Sequence, residues 1–302
     1  MEEAREFTPS LVLNCVVNSF LSYATVMLNI VLIVALRRTS SLPKTLKALI
    51  LSVAVSDIGV GLLVQPLYTA RLLMKMKNAN NQETYNDIIT VVGHTLCYVS
   101  FFGVTTISVD RFLAIHLHLK HQDLLTYQEI VTYKRVVATV ILSWLLGAFL
   151  ALTGVLSSSK NIFNLAGVSV GLVCLLTMGL IYFKISIAVR RHTVQVHAQL
   201  AQAVASNEEN RSIFERLKKT TVGTFYVYLL FLACHLPIAI VILTGRKTNK
   251  KRQHFKIYAQ TMLYLSTSLV PLVYCWKFRH IRCAVKNILR NTFASQNQIQ
   301  ED

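Results

Sequence analysis

Apolar positions along the chain gather into seven long runs separated by short polar stretches. Phe7–Leu36 holds no charge, Ala48–Ala70 holds one (Asp57), and Ile88–Val109, Val136–Ser159, Asn161–Phe183, Thr220–Gly245 and Ile257–Trp276 hold none. Each run has the roughly 20 residues that a helix needs to cross about 30 Å of hydrocarbon. Helices can do so because they satisfy their own backbone groups. After Trp276, Phe278, Ile281, Val285, Ile288 and Leu289 recur at helical spacing among basic residues, the pattern of a helix lying in the membrane interface. The predicted fold is therefore an all-α membrane protein, a seven-transmembrane helix bundle with a short amphipathic eighth helix. The spans nearly consume the 302 residues, so residues 1–290 are expected to form one domain and 291–302 a short cytoplasmic tail.

Composition agrees, with 53% hydrophobic residues and a mean hydropathy of +0.48. Charge sets the orientation. The first residues, Met-Glu-Glu-Ala-Arg-Glu, form no basic leader, so the first run is expected to stay as a span with its acidic end outside. In that topology the inner segments hold 20 of the 31 Lys and Arg residues and the outer ones 11, as the positive-inside bias requires. The last outer loop departs from the bias, because Arg246, Lys247, Lys250, Lys251, Arg252 and Lys256 crowd there. A solvated loop is the favoured reading, and an electrostatic funnel for an acidic ligand is the alternative. The net charge of +17 is divided among loops and points to anionic membrane lipids rather than nucleic acid. Of six cysteines only Cys15 lies near the outer face, so no outer disulfide is expected. Cys283, in the amphipathic stretch, is a candidate palmitoylation site or else a plain thiol.

Several motifs occur on these spans in fixed order: Asn29 on the first; Leu51-Ser52-Val53-Ala54-Val55-Ser56-Asp57 on the second; Ser108-Val109-Asp110-Arg111-Phe112-Leu113-Ala114-Ile115 ending the third. Trp144 lies on the fourth, Tyr182 on the fifth, Phe231 through Pro237 on the sixth, and Val270-Pro271-Leu272-Val273-Tyr274 on the seventh. From Asn29 to Arg290 the chain resembles a rhodopsin-like (class A) G-protein-coupled receptor. The resemblance implies a plasma-membrane protein with its amino end extracellular and its carboxyl end cytoplasmic. It also implies binding of an extracellular small molecule or peptide, coupling to a heterotrimeric G protein, no catalytic residues and no cofactor. It assigns coupling and switching to Asp110, Arg111, Phe112, Leu119, Tyr182, Phe231, His235, Pro237, Pro271 and Tyr274. Asn29, Asp57, Ser100 and Ser266 become a polar cluster able to hold sodium, with a hydrated structural carboxylate as the equal alternative. The ligand cavity is expected to be lined by Gln65, Thr90, His94, Cys97, His235, Gln260 and Tyr264, polar but uncharged.

Departures from the family pattern narrow the reading. The outer cysteine pair is missing and Cys174 stands where a fifth-span proline is usual, features similar to the melanocortin, lysophospholipid and cannabinoid branch. Gly93 stands where amine receptors carry aspartate, Tyr264 where opsins carry the retinal lysine, and Ile242 where adenosine receptors carry asparagine. His235 replaces the sixth-span tryptophan, and Val270 the asparagine before Pro271. Weakened, constitutive or lost signalling is therefore the alternative within the fold. A buried hydrogen-bonded histidine is the favoured reading of His235, with a proton- or sodium-sensitive pairing to Asp57 through water or Ser266 as the sharper one. A transporter would need internal repeats and several intramembrane charges, which the chain lacks.

Overall fold

The computed structural model describes residues 2–40, 42–77, 83–121, 131–157, 160–200, 208–244 and 250–299, all helix, turn or short connection with no strand among them. The first span is α1 (Glu2–Arg38). The second is built from α2 (Lys44–Gly59), a π-helical turn (Val60–Val64) and α3 (Gln65–Met76). The third to seventh are α4 (Glu83–His121), α5 (Tyr133–Leu156), α6 (Lys160–Leu200), α7 (Glu208–Leu243) and α8 (Lys250–Lys277), and α9 (Arg279–Ile299) follows. Arg246 and Lys247 lie outside the described residues. The expected boundary after residue 290 falls within α9, which continues to Ile299.

Among the described residues, six spans are long and apolar enough to cross a membrane by length and composition alone, and α8 is not among them. Its place in the bundle explains why. It packs against α7 and α1, and its polar groups are spent on those neighbours rather than turned to lipid. Thr261 donates to Asn14 Oδ1 at 2.7 Å and accepts from Asn18 Nδ2 at 2.9 Å. The Thr25 and Ser268 hydroxyls meet at 2.6 Å, and Asn29 Nδ2 donates to Thr267 O at 3.1 Å. Such interhelical bonds are how membrane bundles tie a polar helix in place. The opposite case is α5, whose Leu142, Leu145, Phe149, Leu152 and Leu156 form an exposed apolar stripe at helical spacing, fit for acyl chains.

At the centre, α4 packs against α2, α5, α6 and α7. One buried cluster, including Leu46, Ile50, Val104, Ile107, Met178, Phe231 and Tyr274, joins the inner halves of the spans. The second span breaks at Pro66, which has no N–H to donate. A π turn precedes it, and Gly61 O, five residues back, is satisfied instead by Ser22 Oγ at 2.7 Å. Gly61 is required there, since a Cβ would stand 2.8 Å from Val26 Cγ2 and 3.1 Å from Ser22 O. Past the end of α8, Phe278 and Ile281 are buried while Cys283 is exposed. The Phe278 ring occupies the space beside Gly223 of α7, where a Cβ would come within 2.5 Å.

Candidate functional site

At the inner end of α4, Asp110 and Arg111 form an ion pair with both side chains almost fully buried. Arg111 Nε donates to Asp110 Oδ2 at 2.9 Å, and Nη1 reaches Thr220 Oγ1 on α7 at 3.5 Å. This second contact ties the third span to the sixth. Tyr182 is turned to Ser108, whose hydroxyl lies 3.2 Å from its own, rather than to Arg111. Phe112 stacks on His116 at 5.4 Å, and Leu119 packs half-buried against the cluster of Ile115, Tyr182 and Ile185. The arrangement is a closed inner end.

Midway through the bundle, Ser100 Oγ donates to Asp57 Oδ1 at 3.3 Å and lies 3.0 Å from Ser56 Oγ. Of the expected cluster only Ser100 touches Asp57 directly. Asn29 bonds to Thr25 O and Thr267 O, and Ser266 bonds to Leu263 O. Asp57 Oδ2, Asn29 Oδ1 and the Tyr274 hydroxyl are buried without a protein partner. Orphaned oxygens around a carboxylate fit water or a hard monovalent cation, since hard cations take oxygen ligands. Among the described residues no group of three or more His, Cys, Asp or Glu is placed to hold a metal.

One turn further out, His235 is packed rather than wired. Its ring stacks on Phe231 at 4.8 Å and meets Phe101 edge-on at 4.6 Å, while Phe101 and Phe231 cross at 5.8 Å. Nδ1 lies 2.9 Å from Phe231 O, which fixes it as the donor to that carbonyl. Ser266 donates to Leu263 O, and among the described residues it has no hydrogen bond to His235 or Asp57. Pro237 lies inside α7 and Pro271 inside α8, each removing one helical hydrogen bond.

The outer half opens into a cavity of about 670 Å³ between the second, third, fifth, sixth and seventh spans. Thr90, His94, Cys97, His235, Gln260 and Tyr264 line it. His94 Nδ1 lies 2.8 Å from Thr90 O, and its ring packs on Phe163 at 5.0 Å. Tyr264 meets Tyr68 edge-on at 5.3 Å. Two expectations fail here. Gln65 is off the lining and fully buried, 0% exposed. The π turn adds a residue before it, and one residue of helix is about 100° of rotation. The cavity face of the second span consequently runs through Val64, Tyr68, Arg71, Leu72 and Lys75. The second failure is charge, because Arg71, Lys75, Asp87 and Lys256 all line the cavity.

Some residues of consequence were not singled out from the sequence. Thr220 and Phe101 have no local signature, since each matters only through a contact on another helix. Asn14, Asn18 and Thr25 did carry a signal, a polar stripe at helical spacing that continues to Asn29 on an apolar helix.

Residues 28–166 match the family described as "7 transmembrane receptor (rhodopsin family)". Similarity to whole receptors extends further. The chain is 24% identical to the histamine H2 receptor of Canis lupus familiaris over 93% of this chain and 80% of that one. It is 23% identical to the adenosine receptor A3 of Ovis aries over 84% and 82%. With the trace amine-associated receptor 9 of Homo sapiens it shares 21% over 91% and 85%. These relatives are named as receptors, and the similarity to them runs over most of this chain. The rhodopsin-family match over residues 28–166 and the receptor relatives over most of the chain together support a seven-transmembrane, G-protein-coupled receptor, a multi-pass protein of the plasma membrane.

Proposed function

We propose that a ligand entering the outer cavity shifts the Phe101, Phe231 and His235 ring cluster, and that the shift opens the inner end by parting α7 from Arg111. What supports this reading is the continuity of the path. His235 lines the cavity, stacks on Phe231 one turn deeper, and sits on the helix whose Thr220 contacts Arg111. A ligand biases such a two-state element only by binding its states unequally, and contact with a ring that moves provides the inequality. In this scheme Asp110 holds Arg111 while the end is closed, and Tyr182 accepts it on opening. Leu119 and Phe112 belong to the surface offered to the G protein. The amino end lies outside and the carboxyl end inside, consistent with the distribution of basic residues. The cavity carries Gly93 and Ile242 at the levels where amine and adenosine receptors use aspartate and asparagine, which argues against carrying over the ligands named for the relatives. The test is Arg111→Ala, with a tag at the amino end read on intact cells. Surface staining should persist while G-protein nucleotide exchange is lost, and undiminished exchange would refute the scheme.

A further inference from the structure

The outer cavity combines two chemistries that separate along its depth. Its inner part is mainly apolar and aromatic, walled by Cys97, Phe101, Leu175, Phe231 and His235, with the hydroxyls of Ser100, Ser266 and Thr267 also on the lining. Its mouth is cationic. Arg71 and Lys75 project from α3 one helical turn apart, and Lys256 faces them from the start of α8. Lys75 Nζ reaches across to Gln253 Oε1 at 3.4 Å, and Arg71, Lys75 and Arg252 all act electrostatically on Lys256. Asp87, on α4, is the carboxylate among the lining residues, so three cations face one anion. Arg71 and Lys256 are in no ion pair among the described residues. Basic residues on the outer side run against the bias that orients membrane proteins, and holding like charges together has an electrostatic cost.

The basic cluster is also divided in its work. Arg252 caps the outer end of α7, donating to Val241 O and to Thr244 O at 3.5 Å, where a cation suits the negative end of the helix dipole. Lys256, one turn later on α8, faces the cavity instead. Only a subset of the outer charges therefore serves the fold.

We infer that this receptor takes an amphiphile with an anionic head group, carboxylate or phosphate, held at the mouth by Arg71, Lys75 and Lys256 with its apolar chain directed toward Phe101 and His235. This deepens the proposed function and rests on its use of the same cavity. The volume of about 670 Å³ suits such a ligand, being well inside the range of small-molecule sites. The head group supplies affinity and long-range attraction that salt weakens, whereas the chain reaches the rings that switch.

The experiment uses the full chain in nanodiscs of zwitterionic lipid, with receptor-free discs subtracted. Binding of radiolabelled dodecanoate and dodecyl phosphate is compared with that of dodecanol and dodecyltrimethylammonium, alongside nucleotide exchange on added heterotrimer. At least one anion should bind tenfold or more tighter than dodecanol, and which anion leads separates carboxylate from phosphate recognition. The double variant Arg71→Gln/Lys256→Gln, both at exposed positions, should lose at least tenfold in anion affinity and leave dodecanol binding unmoved. Dodecanol binding as well as both anions, preference for the ammonium, or unchanged anion affinity in the double variant would each overturn the inference. Charge-dependent anion binding with no change in exchange upholds the ligand class and counts against the coupling scheme instead.

Discussion

Thr220 offers the sharpest probe of the closed inner end, because its hydroxyl is the α7 group that Arg111 reaches. Thr220→Val keeps the side-chain shape and removes the acceptor. An intramolecular hydrogen bond contributes about 0.5–1.5 kcal/mol, and at 3.5 Å this one belongs in the lower half of that range. Loss of about 0.5–1 kcal/mol from the closed state raises the open-to-closed ratio roughly two- to fivefold, which basal exchange reports directly while the open state is minor. Thr220→Glu acts in the opposite sense. It sets a carboxylate against a guanidinium that is 1% exposed, and a hydrogen bond between charged groups contributes about 1.5–3 kcal/mol. Basal exchange should then fall roughly tenfold or more, toward the receptor-free rate. The assay is ligand-free nucleotide exchange on a panel of purified heterotrimers, with receptor quantified by an amino-terminal tag. Two variants at one position that move exchange in opposite directions isolate the electrostatic contact from general damage. Changes of the same sign, or no change in either, would show that the Arg111–Thr220 contact does not hold the end closed.

Three further outcomes follow from other parts of the structure. Replacing potassium with sodium should raise the unfolding temperature of the wild type, by about 1.4 kcal/mol of stabilisation at ten times the dissociation constant, but not that of Asp57→Asn; equal response in both proteins would remove sodium from this cluster. His235→Phe should retain the ring stack and unfold near the wild-type temperature, whereas His235→Ala leaves a void beside Phe101 and Phe231 costing on the order of 2 kcal/mol or more. If Phe is as damaging as Ala, the bond to Phe231 O rather than ring packing secures the site. Gly61→Val should lower the unfolding temperature in detergent, since its side chain meets Val26 and the Ser22 carbonyl and overpacking costs about 1–3 kcal/mol; an unchanged temperature would mean that α1 and the π turn can separate freely.

The helical spans and the C-terminal helix that follows them were legible in the chain itself. Each depends on one-dimensional quantities, run length, helical period and the cost of a charge in hydrocarbon, that act wherever a segment finally packs. Even there α8 needed the fold, because its polar face is tolerable only beside Asn14, Asn18, Thr25 and Asn29 of α1. What the tertiary structure decided was rotation and partnership. A single π turn before Pro66 removed Gln65 from the cavity and brought in Arg71 and Lys75, turning an expected neutral pocket into one with a cationic mouth. Ser266 donates to its own helix rather than to Asp57, while Phe101 and Thr220 acquired roles only through helices distant in the chain. A helix reveals its exposed and buried faces by period, but a rotation of about 100° per inserted residue and a contact between two helices exist only once they are packed.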